Sequence, residues 1–222
     1  MIPKIVHYTW FGRGPIPADQ QAWIEEWKRR LPDYEFRLWN EDNFDIALTP
    51  YVREAYLSRN YAFVSDVCRI HALLTCGGIY LDTDVELLKS FDPYLHHRSF
   101  CSWEGSRIGM SIMGAQKGEK WLQLAMDYYR KRHFINSFGH PVRTPITRTA
   151  LERWLPLVDE ADRPEIYPME VFGGVQAAEG GMTGNDATVA VHHFNASWRK
   201  HRTLPQRIRI ILQGLKIRYL SR

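Results

Sequence analysis

Two aspartates one residue apart, Asp82 and Asp84, close the run Gly77-Gly78-Ile79-Tyr80-Leu81. Charge at the end of an apolar run costs free energy unless a partner takes it up. Residues i and i+2 of a strand point the same way, so both carboxylates are expected on one side of a strand's C-terminal end. Such a pair suits a hard divalent cation, Mg²⁺ or Mn²⁺, with room for phosphate oxygens. Ligands of open α/β sheets sit at those ends. The plain alternative is a solvated or helix-capping strand end.

Other stretches offer further chemistry. In "SDVCRIHALL", Asp66 and Arg69 are three apart, hence neighbours on one helical face. Alone they are an ordinary intrahelical ion pair. "HHFNASW" contains His192, His193, Asn195, Ser197 and Trp198. Histidine completes metal shells, and Ser and Trp donate hydrogen bonds to phosphate. A polar turn with a core tryptophan explains the same residues. "VHYTWFG" brings His7, Tyr8 and Trp10 to the end of a first strand, where a tryptophan stacks on a base or packs beneath the sheet.

The elements that must position these groups alternate. "PKIVHYTWFG" reads as a strand, and "ADQQAWIEEWKRRL" as a helix with Ala22, Trp23, Trp27 and Leu31 near helical spacing. "YEFRLWN" reads as a second strand, residues 51–76 as helical segments stopped by Gly77-Gly78, and "IYLDTDVELL" as one strand. "SFCSWEG" with "MSIMGA" reads as a hairpin and "EKWLQLAMDYYRKRHF" as an amphipathic helix. Strands alternating with helices indicate an α/β sheet.

The 222 residues fit one domain, with 45% hydrophobic and 24% charged residues. The net charge of +4 is uneven. Arg199 to Arg222 holds eight Lys or Arg, and no Asp or Glu follows Asp186. Subtracting those eight leaves −4 for the rest, which argues against nucleic-acid binding by the body. Residues 199–222 read as a basic tail, an amphipathic helix with Leu204, Ile208, Ile211, Leu212, Leu215 and Tyr219 on one face. It is expected either to lie on an anionic membrane or to dock on its own domain. Three cysteines without a CxxC pair, no secretory signal and no spanning apolar run lead to an expectation of a cytoplasmic protein with reduced thiols.

In order, "IPKIVHYTWFG", "YAFVSDVCRIHALLTCGGIYLDTDVELLKSFD" and "HHFNASW" resemble glycosyltransferase family 32, most tightly over residues 1–92 and again at 192–198. The resemblance implies a GT-A-like single α/β domain over 1–198, its mixed, mostly parallel central sheet flanked by helices. It implies a UDP- or GDP-hexose donor, Mn²⁺ or Mg²⁺, and retention of configuration. The acceptor it implies is a glycan or lipid-linked glycan in surface polysaccharide or capsule synthesis, and the basic tail adds an expectation of peripheral placement at the inner face of the plasma membrane. Asp82 matches the first DXD aspartate, on ribose and donor sugar, and Asp84 the second, the direct metal ligand. Asp66 and Arg69 match the pair that reaches donor hexose and phosphates. Tyr80 matches a diphosphate-supporting tyrosine and Trp10 the base-stacking tryptophan, with His7 and Tyr8 beside it. His192, with Asp82, is the expected further metal ligand, and His193 competes for that role. Ser197 and Trp198 match a pair closing over the leaving diphosphate. A nucleophile stays open between Glu104 and direct front-face transfer, and the acceptor side is expected from residues 138–149 and 168–174.

Two rival readings remain at this point. "IYLDTDVE" is similar to the nucleophile motif of haloacid-dehalogenase-type phosphatases, with Asp82 phosphorylated, although there the motif sits near the N-terminus. A non-catalytic carbohydrate- or membrane-binding module would use the aromatics and the tail.

Overall fold

The computed structural model describes residues 1–143, 150–194 and 204–220. Strand β1 (Ile5–Thr9) leads to helix α1 (Ala18–Arg30), then β2 (Glu35–Trp39). Helices α2 (Pro50–Leu57) and α3 (Tyr61–Cys76) precede β3 (Gly78–Leu81) and β4 (Val85–Leu87). The hairpin β5 (Ser99–Glu104) and β6 (Arg107–Ala115) is followed by α4 (Lys120–Arg130). After β7 (Glu165–Tyr167) come a one-turn helix α5 (Met169–Phe172), the small hairpin β8 (Val175–Gln176) and β9 (Met182–Thr183), and β10 (Ala190–His192). Helix α6 spans Leu204–Leu220.

The six-stranded sheet has the order β2-β1-β3-β6-β5-β7. Only β6 runs against the others, so the pairings β1–β2, β1–β3 and β5–β7 are parallel. The C-terminal ends of β1, β3 and β5 therefore share one edge. A separate antiparallel ladder joins β10 to β4 and sits over that edge.

Two apolar layers cover the faces. On one, α2, α3 and α4 contribute Val52, Val64, Val67, Leu73, Trp121 and Leu122, all buried in one cluster with Tyr80 and Met113. On the other, α1 inserts Ile24, Trp27 and Leu31 against Tyr8, Ile79 and Leu81. The buried stripe of α1 is Gln20, Ile24, Trp27 and Leu31, whereas Ala22 is exposed and Trp23 lies at the rim. A polar residue in that stripe needs a partner, and Gln20 has one at the site.

The expected strand "IYLDTDVELL" is broken. β3 stops at Leu81, and Asp82-Thr83-Asp84 forms a turn, with the Val85 N–H bonding the Asp82 carbonyl at 3.1 Å. Short polar side chains favour turns over ladder positions. The two carboxylates thus converge through a turn, and strand alternation does not set their direction.

Gly77 and Gly78 let α3 turn directly into β3. Both have positive φ, +68° and +113°. A Cβ on Gly78 would stand 2.5 Å from the Ile5 carbonyl oxygen. Gly78→Ala is therefore expected to destabilise the fold by about 2 kcal/mol or more, from left-handed strain plus contact with fixed backbone. Urea unfolding against the wild type measures it, and an unchanged midpoint refutes the account.

Candidate active site

The site lies along the shared edge of β1, β3 and β5. Its first half is built on Arg69 of α3. Its Nη2 is 3.0 Å from Asp66 and 3.2 Å from Asp82, and its Nη1 donates to the Met110 carbonyl at 2.6 Å. The guanidinium also lies over the Tyr80 ring, 4.8 Å from its centre. Asp66 and Arg69 are thus more than a helical pair, because Asp82 closes a triad from another element. Burial raises the Asp66 carboxyl to about 6, with Arg69 opposing and Asp82 adding to the rise. Burial works against the Arg69 charge, and Asp82, Tyr80 and Asp66 more than restore it.

Asp82 is held chiefly at Oδ1. Tyr80 Oη donates to its Oδ1 at 2.7 Å, and Thr9 lies 3.2 Å from the same hydroxyl. Its backbone N–H bonds the Ser111 carbonyl at 2.8 Å. Tyr80 is fully buried, with its hydroxyl spent on Asp82 and Thr9. Arg69 is also mostly spent on carboxylates and a carbonyl, which makes it an organiser of the site more than a free phosphate donor.

The second half joins Asp84 to β10. His192 Nε2 lies 3.2 Å from Asp84. Asp82, Asp84 and His192 each offer one ligand atom, and these atoms lie within 4.8 Å of one another. His192 Nδ1 is buried and has no hydrogen-bond partner among the described residues. Burial lowers the His192 pKa, but Asp84, Asp82 and Glu104 outweigh it and leave a net rise. Two carboxylates and an imidazole converging within 4.8 Å fit a divalent cation, and the imidazole nitrogen suits Mn²⁺ better than Mg²⁺.

His193 takes another role. Its ring stacks on Trp23 at 4.7 Å and 3°, and its Nε2 is 3.0 Å from Glu86. Its backbone N–H bonds the Asp84 carbonyl at 3.1 Å. His193 therefore fastens β10 to α1 and β4, while its neighbour faces the carboxylates. The turn is pinned from α1 as well: Thr83 Oγ1 donates to Gln20 Oε1 at 2.7 Å, and Trp27 Nε1 to the Val85 carbonyl at 2.9 Å.

Two expected donor contacts are displaced. His7 is fully buried, its Nε2 2.8 Å from the Gly77 carbonyl and its Nδ1 accepting from Trp39 at 3.0 Å. Burial drives its pKa down to about 4, so it is a neutral structural link. Tyr8 alternates to the opposite face and packs edge-on against Trp27. Trp10 does stand past the end of β1, half-buried, with its indole N–H on the Gly14 carbonyl at 2.7 Å. Ser197 and Trp198 lie outside the described residues, as do positions 144–149 of the expected acceptor segment.

Glu104, at the end of β5, lines a small pocket with Ser102, Ser111, His192 and Phe194. Burial raises its pKa, with His192 opposing and Asp82 adding to the rise. Local pattern does not mark Glu86, and it marks Trp23 only as an apolar position of α1; Gln20 is detectable only as a glutamine within that helix's apolar stripe.

Comparison with known proteins agrees with this geometry. Residues 17–101 match the family model described as glycosyltransferase sugar-binding region containing DXD motif. Inositol phosphoceramide mannosyltransferase 3 of Schizosaccharomyces pombe is 35% identical over 129 residues, 54% of this chain and 35% of its own length. An uncharacterized glycosyltransferase of Acanthamoeba polyphaga mimivirus is 25% identical over 160 residues, 69% of this chain and 64% of its own length. The chain thus spans little more than a third of the mannosyltransferase. A solved glycosyltransferase involved in glycosylating the major capsid of PBCV-1 shares the fold, with TM-score 0.52 and 12% identity, over 96% of this chain and 99% of its own. Residues 17–101, which include Asp82 and Asp84, are thus similar to the sugar-binding region of DXD-containing glycosyltransferases.

Proposed function

We propose that the protein transfers a hexose from a nucleotide diphosphate sugar, UDP- or GDP-linked, to a glycan or lipid-linked glycan, with retention of configuration and with Mn²⁺ or Mg²⁺ as cofactor. The observation that carries this reading is the convergence of Asp82, Asp84 and His192 beside the Asp66–Arg69 pair at the strand ends. The resemblance to capsule and lipopolysaccharide transferases supports surface polysaccharide synthesis. The name of the yeast relative, an inositol phosphoceramide mannosyltransferase, supports a hexose donor and a lipid-bearing acceptor. Peripheral work at the inner face of the plasma membrane belongs to the same reading.

The chemistry asks for two things. Breaking the sugar–phosphate bond leaves a nucleoside diphosphate with growing negative charge. A divalent ion held by Asp82, Asp84 and His192 would neutralise that charge. The chain's own residues set the rest. Asp66, kept near the edge by Arg69, presents a carboxylate that accepts hydroxyl hydrogen bonds from a sugar. Asp82, fixed by Tyr80 and Arg69, has one rotamer and a preset direction toward ribose and sugar. Preset polar groups need no reorganisation during reaction, which is where such sites gain rate.

The decisive assay is a panel of UDP- and GDP-sugars with Mn²⁺, scored by release of the nucleoside diphosphate. Turnover of at least one donor, abolished by EDTA, is the expected result. No binding or turnover of any donor with metal present ends the transferase reading. Asp84→Asn should lower transfer by about 10²–10³-fold. Mn²⁺ titration followed by electron paramagnetic resonance should show His192→Ala binding more weakly than His193→Ala, and the reverse order would reassign the ligand.

A last expectation concerns pH. The Asp66 carboxyl titrates at about 6 in the fold, above its ordinary 3.8. The folded state therefore holds its proton longer, and stability is lost as pH rises through 6. Asp66→Asn should gain about 1–3 kcal/mol relative to the wild type between about pH 4 and pH 7, while losing transfer. Thermal melts of the metal-free proteins at both pH values test this, and a pH-independent difference contradicts it.

A further inference from the structure

The helix α6 is docked by one side only. Ile217 is buried in the core, and Gly214 sits so close to Gly139 that no side chain fits between them. Arg218 reaches Glu54 at 3.3 Å, and Tyr219 Oη donates to the Ser137 carbonyl at 3.4 Å. The docked side thus centres on Gly214, Ile217 and Arg218. This differs from the face expected from sequence, since Ile217 points inward.

The opposite side stays open. Ile208, Leu212 and Tyr219 are 51%, 62% and 52% exposed. Their spacing of four and seven residues puts them in one stripe. Phe138, 74% exposed, adjoins it, because its neighbours Ser137 and Gly139 touch Tyr219 and the Ile211–Leu215 turn. Arg209 and Lys216 border the stripe on its far side, both exposed. No carboxylate side chain follows Asp186 in the sequence. No helix among the described residues is long and apolar enough to cross a membrane.

We propose that this side of α6, together with Phe138, seats the protein on an anionic lipid bilayer. Apolar side chains bordered by cations match the boundary between acyl chains and acidic headgroups. A second copy of the chain fits less well. A two-fold interface through this stripe would bring Arg209 and Lys216 of both copies together with no carboxylate from the helix to answer them. The proposal deepens the lipid-linked acceptor of the function given above. It is measured without donor or metal, so its failure leaves the transfer reading standing.

The test is co-sedimentation of the whole chain with phosphatidylcholine vesicles, with and without phosphatidylglycerol. Truncating the tail is avoided, since Ile217 and Arg218 belong to the fold. The wild type should bind the anionic vesicles and be released by salt. Leu212→Glu and Arg209→Glu should each weaken binding by about tenfold or more. Leu157→Glu, at an exposed apolar residue elsewhere, should bind as the wild type does. Circular dichroism confirms that each variant is folded. No binding, equal binding to neutral vesicles, or unchanged binding of Leu212→Glu overturns the proposal. So does a dimer in light scattering that Leu212→Glu dissociates.

Discussion

Arg69 sits with only 8% of its side chain exposed, between two carboxylates from different parts of the chain. A buried guanidinium without partners would be prohibitive, and so would two buried carboxylates without a cation. Together with the Met110 carbonyl, the groups satisfy one another. The arrangement ties α3 to the end of β3 and to β6, the three elements whose relative placement defines the edge of the sheet. Asp66 and Asp82 both take their direction from this one cation. Replacing Arg69 would leave two uncompensated carboxylates in a low-dielectric setting, so the cation is the member that cannot change alone.

The Asp82-Thr83-Asp84 turn is the second dependency. It is gripped from three sides: Ser111 of β6 holds the backbone of Asp82, Gln20 of α1 holds Thr83, and His193 holds the carbonyl of Asp84. A turn without ladder hydrogen bonds is ordinarily soft. Here its neighbours supply the bonds that a strand would have made internally. The carboxylates gain a fixed convergence on His192 that a continuous strand, with its period of two, would not produce.

Much of this was legible in the chain itself. The β1–α1–β2 opening, the Gly77-Gly78 stop and the β5–β6 hairpin all follow from local rules of turn chemistry and periodicity. Asp82, Asp84, Asp66 and Arg69 stood out because charged residues interrupt apolar runs. What could not be read were long-range assignments. Local pattern gives His192 and His193 the same status, and only pairing of β10 with β4 separates ligand from fastener. His7 looked available at a strand end, yet a parallel neighbour on either side of β1 buries it. The docked side of α6 was misread because the apolar residues of that helix encircle it. In such a helix composition does not choose a side, and the close approach at Gly214 and Gly139 does.

Glu54 gives the fold a temporal order. It is buried in α2, where it receives His133, the Ile135 N–H and finally Arg218, which is 164 residues away. A chain emerging from its N-terminus places this carboxylate early and supplies its last cation late. Until then α2 packs against α3 with a charge only partly answered. Closing the Arg218 contact is therefore a late event, and it links the docking of α6 to consolidation of the helix layer on which Asp66 and Arg69 stand. The C-terminal helix acts as a latch on a site with which it shares no residue.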